Sequence, residues 1–177
     1  MIVTIDKALE FVPINIAVLT ISDTRTHETD KSGTFLQERI NGAGHQCIKK
    51  IIIPDEIEQI KNTLQNLSKE KEIDCIITTG GTGLTGRDTT PEAVMELSDK
   101  TIEGFGELFR QISFSKIGTS AIQSRALAAL INTTYVFCLP GSTGACKDGW
   151  DEILKFQLDI RHRPCNFVEI MPRLSEK

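Results

Sequence analysis

The chain has 177 residues, of which 40% are hydrophobic and 25% charged, a composition typical of a single folded globular domain. Its 20 Lys and Arg residues against 24 Asp and Glu residues give a net charge of -4, which argues against nucleic-acid binding. Five cysteines without a Cys-x-x-Cys pair, and no histidine at zinc-ligand spacing, indicate reduced thiols rather than disulfides or a zinc site.

The two ends of the chain are predicted to flank one domain that spans residues 1–177, with an extension at 1–13 and a tail at 160–177. The first residues include acidic side chains where a signal peptide needs basic ones, and the apolar runs are too short for a bilayer. We therefore expect a cytoplasmic protein without membrane contact.

The first half of the chain is predicted to alternate strands with helices. β-Branched residues predict strands at 14–21 and 47–53. Between them Ser32 is predicted to cap a helix that ends near Ile40. Asp55 and Glu58 have the spacing of a capping box, which predicts a second helix after the second strand.

The second half continues the alternation. Strands are predicted at 73–79 and 133–139, and Pro91 suits the first turn of a helix after Thr90. A further helix is predicted at 119–131. An apolar stripe at helical spacing predicts a core-facing helix, and it consists of Phe105, Phe109 and Ile112.

This alternation predicts an α/β fold: a single-domain, three-layer, doubly wound and mostly parallel sheet with helices on both faces. Ligands of such sheets bind outside the carboxyl ends of the strands. Three loops after predicted strands carry Gly, Ser, Thr and Asp residues there, at 22–23, 80–90 and 140–144.

The loop at 80–90 is predicted to bind phosphate. Its glycines allow positive φ and bring backbone N–H groups close to an anion, and they are Gly80, Gly81, Gly83 and Gly86. A purely structural glycine turn is the alternative. Residues 81–86 also fit G-x-G-x-x-G, but Pro91 delays the helix and no acid ends a strand about 20 residues later, which argues against dinucleotide binding.

Two charged residues follow the glycines. Arg87 is placed to meet phosphate, and Asp88 to hold Mg²⁺ against it. Spacing alone leaves Asp88 open to a second interpretation, in which its carboxylate bonds its own backbone near Thr90 in a turn. Spacing favours a capping role over a ligand role for Asp55.

The loop at 140–144 is a second candidate for phosphate binding through its hydroxyl and N–H groups, although Ser142 or Thr143 could equally cap a helix. Ser124 and Arg125 fall in a predicted helix, where an ordinary surface position is the simpler interpretation. Trp150 is expected in or near the core. The three histidines are expected at the surface or an interface, and they are His27, His45 and His162.

Several motifs together resemble the MoaB/MogA family of molybdenum cofactor biosynthesis proteins. They are T-x-S-D at 20–23, D-K-S-G at 30–33, P-D-E at 54–56, T-G-G-T-G-x-x-x-R-D-x-T-P-E-A at 79–93, G-F-G-E-x-F-R at 104–110, S-R at 124–125 and L-P-G-S at 139–142. The segments E-F-V-P at 10–13 and R-P-C-N-F at 163–167 resemble the MoaB branch. The resemblance covers nearly the whole chain.

The resemblance implies an enzyme that uses Mg-ATP to adenylylate molybdopterin and releases pyrophosphate. It implies that Asp55 and Asp88 are the important carboxylates, with Mg²⁺ as their metal. The nucleotide phosphates would be bound by Gly80, Gly81, Thr82, Gly83, Arg87, Pro140, Gly141 and Ser142. The pterin would be bound by Ser22, Asp23, Ser124 and Arg125.

The resemblance also implies a homo-oligomer, a trimer or a hexamer, that works with other molybdenum cofactor biosynthesis proteins. Two other functions stay open at this point. One is a non-catalytic molybdopterin-binding or scaffold protein, since some members of the MoaB branch lack the acid that matches Asp55. The other is a dinucleotide-dependent oxidoreductase built on residues 81–86, which tight NAD binding would reveal.

Overall fold

A six-stranded sheet forms the centre of the fold in a computed structural model that describes residues 4–176. The strands are β1 Thr4–Ile5, β2 Asn15–Ile21, β3 Gln46–Ile53, β4 Cys75–Thr79, β5 Lys100–Thr101, β6 Leu127–Ile131, β7 Thr134–Leu139 and β8 His162–Arg163. The central sheet has the order β3-β2-β4-β7-β6-β5, in which the first four strands are parallel and β6 pairs antiparallel with both of its neighbours, β7 and β5. The predicted mostly parallel sheet is confirmed.

Helices cover both faces of this sheet. They are α1 Lys31–Gly42, α2 Ile57–Leu67, α3 Thr90–Leu97, α4 Glu103–Ile117, α5 Thr143–Gly149, α6 Lys155–Gln157 and α7 Phe167–Ile170, with 3-10 turns at Gly118–Gln123 and Met171–Arg173 and a π-helical turn at Trp150–Leu154. Alternate residues of β2 point to opposite faces, so Ile16 and Val18 pack against α1, α4 and α5 whereas Ala17 and Leu19 pack against α2 and α3. The predicted three-layer arrangement follows from this alternation.

The prediction of a helix at 119–131 is wrong. The segment instead contains the 3-10 turn Gly118–Gln123 and the strand β6, Leu127–Ile131, which pairs antiparallel with β7. Ala and Leu favour helix locally, but pairing with a buried neighbouring strand outweighs that preference. Ser124 and Arg125 consequently lie on the connection between the turn and the strand.

Two predicted helix caps are also wrong. Asp30, not Ser32, caps α1, because its carboxylate accepts a hydrogen bond from the Gly33 amide at 2.9 Å. Asp55 does not cap α2, whose N-cap residue is Glu56 and has no side-chain cap bond. The capping role that competed with a ligand role for Asp55 is therefore absent.

Other expectations about single residues are mixed. Pro91 lies in the first turn of α3, and Trp150 is 1% exposed, as predicted. His27 is exposed, but His45 and His162 are buried, so their expected surface position is wrong. The His45 ring packs against aromatic neighbours, and its Nδ1 accepts a hydrogen bond from the Ile14 amide at 3.3 Å.

The predicted extension and tail meet each other. Thr4 and Ile5 of β1 pair antiparallel with Arg163 and His162 of β8. Residues 1–3 of the extension and Lys177 of the tail lie outside the described residues. Within residues 4–176, none of the helices is both long and apolar enough to cross a membrane.

Candidate functional site

Loops from neighbouring parallel strands meet at the carboxyl edge of the sheet. The Gly80 amide donates a hydrogen bond to the Leu139 carbonyl at 3.0 Å, and a Cβ on Gly141 would lie 3.3 Å from the Gly80 Cα. The Ser22 amide donates to the Ile53 carbonyl at 2.8 Å. The loops after β2, β3, β4 and β7 thus form one continuous surface.

The glycine loop after β4 has the conformation that its sequence predicts. Gly80 has a φ of 109° and Gly81 a φ of 63°, both in the region that favours glycine. A Cβ on Gly81 would lie 2.2 Å from the Thr90 Oγ1 atom and 2.9 Å from the Asp55 Oδ2 atom. Only glycine fits there, because the Thr90 hydroxyl and the Asp55 carboxylate occupy the space that a side chain would need.

Asp55 follows β3 and lies beside Gly81 of this loop. Its Oδ1 accepts hydrogen bonds from the backbone amide and the hydroxyl of Thr89, both at 3.3 Å. Burial raises the pKa of Asp55, two hydrogen bonds from Thr89 oppose that shift, and the nearby charges of Asp88 and Asp23 raise the pKa further. Ionisation of Asp55 is therefore less favourable in this protein than in water.

Asp88 lies beside Gly83 of the same loop. A Cβ on Gly83 would lie 2.7 Å from the Asp88 Oδ2, which accepts hydrogen bonds from the Thr85 hydroxyl at 2.6 Å and the Thr85 amide at 2.9 Å. The hydroxyl of Thr85 is the main cause of a lowered pKa for Asp88. Asp88 does bond its own turn, as one interpretation predicted, but towards Thr85 rather than Thr90.

Arg87 is held by two acids. Its Nε and Nη2 donate to Asp23 at 3.1 and 2.8 Å, and its Nη1 donates to Glu56 at 2.5 Å. The hydrogen bond from Arg87 holds the pKa of Asp23 below its usual value. Asp23 in turn accepts a hydrogen bond from the Asp55 amide at 3.0 Å. Asp23, a predicted pterin contact, therefore lies beside Asp55, and it does not line the large cavity that Ser124 lines.

The Arg125 side chain holds the glycine loop by bonding its backbone carbonyls. The guanidinium donates to the carbonyls of Gly83 and Asp88, each at 2.7 Å, and pairs with Glu92. All three contacts fix the stretch between the glycines and α3. These bonds direct the Arg125 side chain to the loop. The contact of Arg125 with a pterin stays a prediction.

The three serines predicted to bind ligand occupy different places. Ser142 is the N-cap of α5 and accepts the Ala145 amide at 3.2 Å, which confirms one of its two interpretations. The Ser22 hydroxyl accepts the amides of Thr24 and Arg25 at 3.3 and 3.2 Å. Ser124 lines the large cavity described next.

A cavity of about 690 Å³ extends from the glycine loop towards α4 and α5. Its loop end is formed by Gly80, Gly81, Thr82, Gly83, Asp88, Pro140, Gly141 and Ser142. Phe109, Ile117 and Ala121 contribute apolar wall. The volume is in the range of small-molecule sites, and the cavity brings most of the predicted phosphate-binding residues together.

A second cavity of about 400 Å³ lies on the other side of the Gly141–Ser142 turn, which both cavities share. Its lining includes several hydroxyls and one arginine, namely Thr20, Ser22, Thr24, Arg25, Ser32 and Thr79. The Ser32 hydroxyl donates to the Gly141 carbonyl at 2.8 Å and so anchors the shared turn to α1.

The donor set suits Mg²⁺ better than a transition metal. No group of three His, Cys, Asp or Glu side chains converges as a metal site within residues 4–176. Mg²⁺ is usually held by one or two carboxylates together with substrate phosphates and water, and Asp55 and Asp88 beside a glycine loop offer that set. The residues present therefore fit a substrate-bound magnesium ion.

Some residues of the site were missed in the sequence. Thr89 and Glu56 lie within the sequence motifs, but the motifs do not show that Thr89 bonds Asp55 or that Glu56 bonds Arg87. Lys116 and Asp148, which line the far end of the large cavity, had no signal at all, because α4 and α5 bring them together only in the folded chain.

Comparison with known proteins gives a consistent picture. A family model described as "Probable molybdopterin binding domain" matches residues 17–160. Molybdenum cofactor biosynthesis protein B of Escherichia coli (strain K12) is 45% identical over 158 residues, 89% of this chain and 93% of that protein.

Two solved structures are similar over most of their length. A crystal structure of molybdenum cofactor biosynthesis protein B has a TM-score of 0.84 at 40% identity and covers 94% of this chain and 98% of that one. The tungsten cofactor synthesizing protein MoaB from Pyrococcus furiosus has a TM-score of 0.72 at 33% identity and covers 80% and 91%.

Proposed function

Because the chain belongs to the molybdopterin-binding domain family of molybdenum cofactor biosynthesis, we propose that it is a molybdopterin adenylyltransferase that uses Mg-ATP. In this reaction a phosphate oxygen of molybdopterin attacks the α-phosphorus of ATP. The bond from that phosphorus to the β-phosphate oxygen breaks, and pyrophosphate leaves with its electron pair. The products are adenylyl-molybdopterin and pyrophosphate.

One observation carries the proposal: two carboxylates lie beside one glycine loop, and that loop and Asp88 line one end of a large cavity. A Cβ on Gly81 would be 2.9 Å from an oxygen of Asp55, and a Cβ on Gly83 would be 2.7 Å from an oxygen of Asp88. Phosphoryl and nucleotidyl transfer depends mainly on alignment and charge neutralisation, so a site without a covalent nucleophile suits it.

The chain's own residues would bind and orient the two phosphates. The backbone of the glycine loop and the N-terminal turn of α5 would hold phosphate oxygens, with Gly80 to Gly83 and Pro140 to Ser142 as the contacts. Asp55 and Asp88 would hold Mg²⁺, which neutralises phosphate charge when bound. Arg87 and Asp23 would keep the Asp55 loop in place.

The raised pKa of Asp55 supports a cation-binding role. A buried acid beside two other carboxylates is poorly stabilised alone, and a bound divalent cation would favour its ionised form. The protein would thus use binding of the metal and nucleotide to stabilise a charge that folding leaves uncompensated.

The test is pyrophosphate release from Mg-ATP with and without molybdopterin. We expect release only when both substrates are present, and a fall of about 100-fold or more for Asp88→Ala. Asp99→Ala, which does not line the cavity, is the matched control and should keep wild-type activity. No release by the wild-type protein, or full activity of Asp88→Ala, would contradict the proposal.

A non-catalytic protein would give a different result in calorimetry. It would bind molybdopterin and leave ATP intact. The presence of both acids favours catalysis over that alternative. Cofactor chemistry with NAD has no support from the glycine loop, whose helix begins only at Thr90.

A further inference from the structure

The far end of the large cavity is formed by an ion pair between two helices. Lys116 of α4 and Asp148 of α5 both line the cavity, and the Lys116 Nζ lies 2.6 Å from the Asp148 Oδ1. The Asp148 side chain is 16% exposed. No residue within 4–176 donates a hydrogen bond to its Oδ2, so this oxygen is available to a ligand.

The rest of the cavity lining combines apolar side chains with polar ones such as Ser113, Ser120 and Gln123. Phe109 is 1% exposed and Ala121 4% exposed, and both line the cavity with Ile117. A flat ring packs well against such apolar side chains, whereas an anion does not. The cavity therefore has a phosphate-binding end, a partly apolar middle and a charged far end.

We propose that Asp148 recognises the 2-amino-4-oxopyrimidine edge of a pterin ring and that this pair sets the substrate specificity of the cavity. The 2-amino group and the ring N3–H would donate to the two oxygens of Asp148. Oδ1 can accept from Lys116 at the same time, because each carboxylate oxygen has two lone pairs. Lys116 would donate its remaining protons to the 4-oxo oxygen.

This assignment rests on the proposed function, since a pterin substrate is part of that proposal. Adenine is the competing ring, but its edge offers a single amino donor beside a ring nitrogen acceptor. A carboxylate with two acceptor oxygens matches two parallel N–H donors better. The geometry therefore favours a pterin at the far end and the phosphates at the glycine loop.

The experiment measures binding of 6-hydroxymethylpterin by its fluorescence, without ATP or turnover. We expect Asp148→Asn to weaken the pterin by about tenfold or more, because the amide replaces an acceptor with a donor. Glu152→Gln is the matched control: Glu152 lies 3.8 Å from the same lysine but does not line the cavity, and its change should leave the affinity within about twofold.

A second arm uses the wild-type protein and is independent of how the variant folds. Lumazine replaces the 2-amino group with a carbonyl oxygen, and we expect it to bind about tenfold or more weakly than the pterin. Equal affinity of the two rings, or pterin binding unchanged in a folded Asp148→Asn variant, would overturn the inference. So would a loss of adenosine affinity instead of pterin affinity in that variant.

The two proposals fail separately. If the pterin binds through Asp148 but no pyrophosphate is released, the specificity inference stands and the catalytic proposal falls. If pyrophosphate is released at wild-type rates by Asp148→Asn and the pterin affinity is unchanged, the catalytic proposal stands and this inference falls.

Discussion

At the scale of single residues, the two acids of the site have opposite environments. Burial raises the pKa of Asp55, whereas the Thr85 hydroxyl bond lowers the pKa of Asp88. A carboxyl with a raised folded pKa takes up a proton more readily in the folded state, so its contribution to stability is lost as pH rises through that pKa. A carboxyl with a lowered folded pKa behaves in the reverse way.

These environments predict opposite effects on stability at pH 7. Asp55→Asn removes a poorly stabilised charge and should raise the free energy of unfolding by roughly 1 kcal/mol, the usual size of a single stabilising substitution. Asp88→Asn removes a hydrogen-bonded charge and should lower that free energy by about 0.5 to 1 kcal/mol. Both variants should lose adenylylation, and urea unfolding measures the stabilities.

The pH dependence provides the control. Lowering the pH through the acid range should reduce the difference in unfolding free energy between Asp55→Asn and the wild type, because the wild-type Asp55 becomes protonated at its raised pKa. The loss of unfolding free energy in Asp88→Asn should also become smaller, but only at lower pH, because the pKa of Asp88 is lowered. A destabilised Asp55→Asn protein at pH 7 would show that the carboxylate is stabilised by contacts other than a bound cation.

At the scale of elements, the strands of the sheet were predictable and the segment before and within β6 was not. β-Branched residues make up most of β2 and β4, and the two strands are followed by Ser22-Asp23 and Gly80, which is a strong local signal. Leu127 to Ile131 reads L-A-A-L-I, which fits a helix as well as a strand. Pairing with β7 decides between them, and that contact is not local in sequence.

The glycine loop gives a prediction at this scale. Gly81→Ala should lower the free energy of unfolding by about 2 kcal/mol or more, because a positive φ costs about 1–2 kcal/mol for an L-residue and the new Cβ meets Thr90 and Asp55. Activity should fall with it, since the loop must shift away from Asp55. Thermal unfolding and pyrophosphate release measure the two effects.

Gly86→Ala in the same loop is the matched control. A Cβ at Gly86 meets nothing within 4 Å, so its stability should change by no more than about 0.5 kcal/mol. Equal effects of the two substitutions would mean that loop flexibility, rather than the close approach at Gly81, sets the requirement for glycine.

Many residues of the site were predictable from the sequence, but the contacts between them were not. The acids and glycines of the site were visible in the sequence because each stands in a short motif. The bonds from Arg125 to the carbonyls of Gly83 and Asp88 were not visible, because a wrongly predicted helix placed Arg125 on an exposed surface. Motifs thus identified the chemical groups, and the fold decided which of them touch.

At the scale of the whole molecule, an exposed apolar patch on α4 and the following turn leads us to expect self-association. Phe114 is 60% exposed, Ile117 59% and Ile122 84%. Large apolar side chains that are exposed on one segment often belong to an interface. The patch agrees with the trimer or hexamer that the sequence resemblance implies.

Light scattering tests this expectation. The mass in solution should be three or six times the 19.6 kDa of one chain. The double variant Phe114→Glu with Ile122→Lys should shift the mass towards the monomer, because burying two charges at an interface is costly. Val12→Lys, a 42% exposed control before β2, should keep the wild-type mass. A monomeric wild-type protein would contradict the expectation.

The pairing of β1 with β8 has a practical consequence. Both strands lie at the amino edge of the parallel strands, where the Ile14 amide before β2 bonds His45 before β3 and the Tyr135 hydroxyl at the start of β7 bonds the Phe167 carbonyl. The glycine loop opens at the opposite edge. A surface tether attached at β1 or β8 would therefore leave the glycine loop facing free solution.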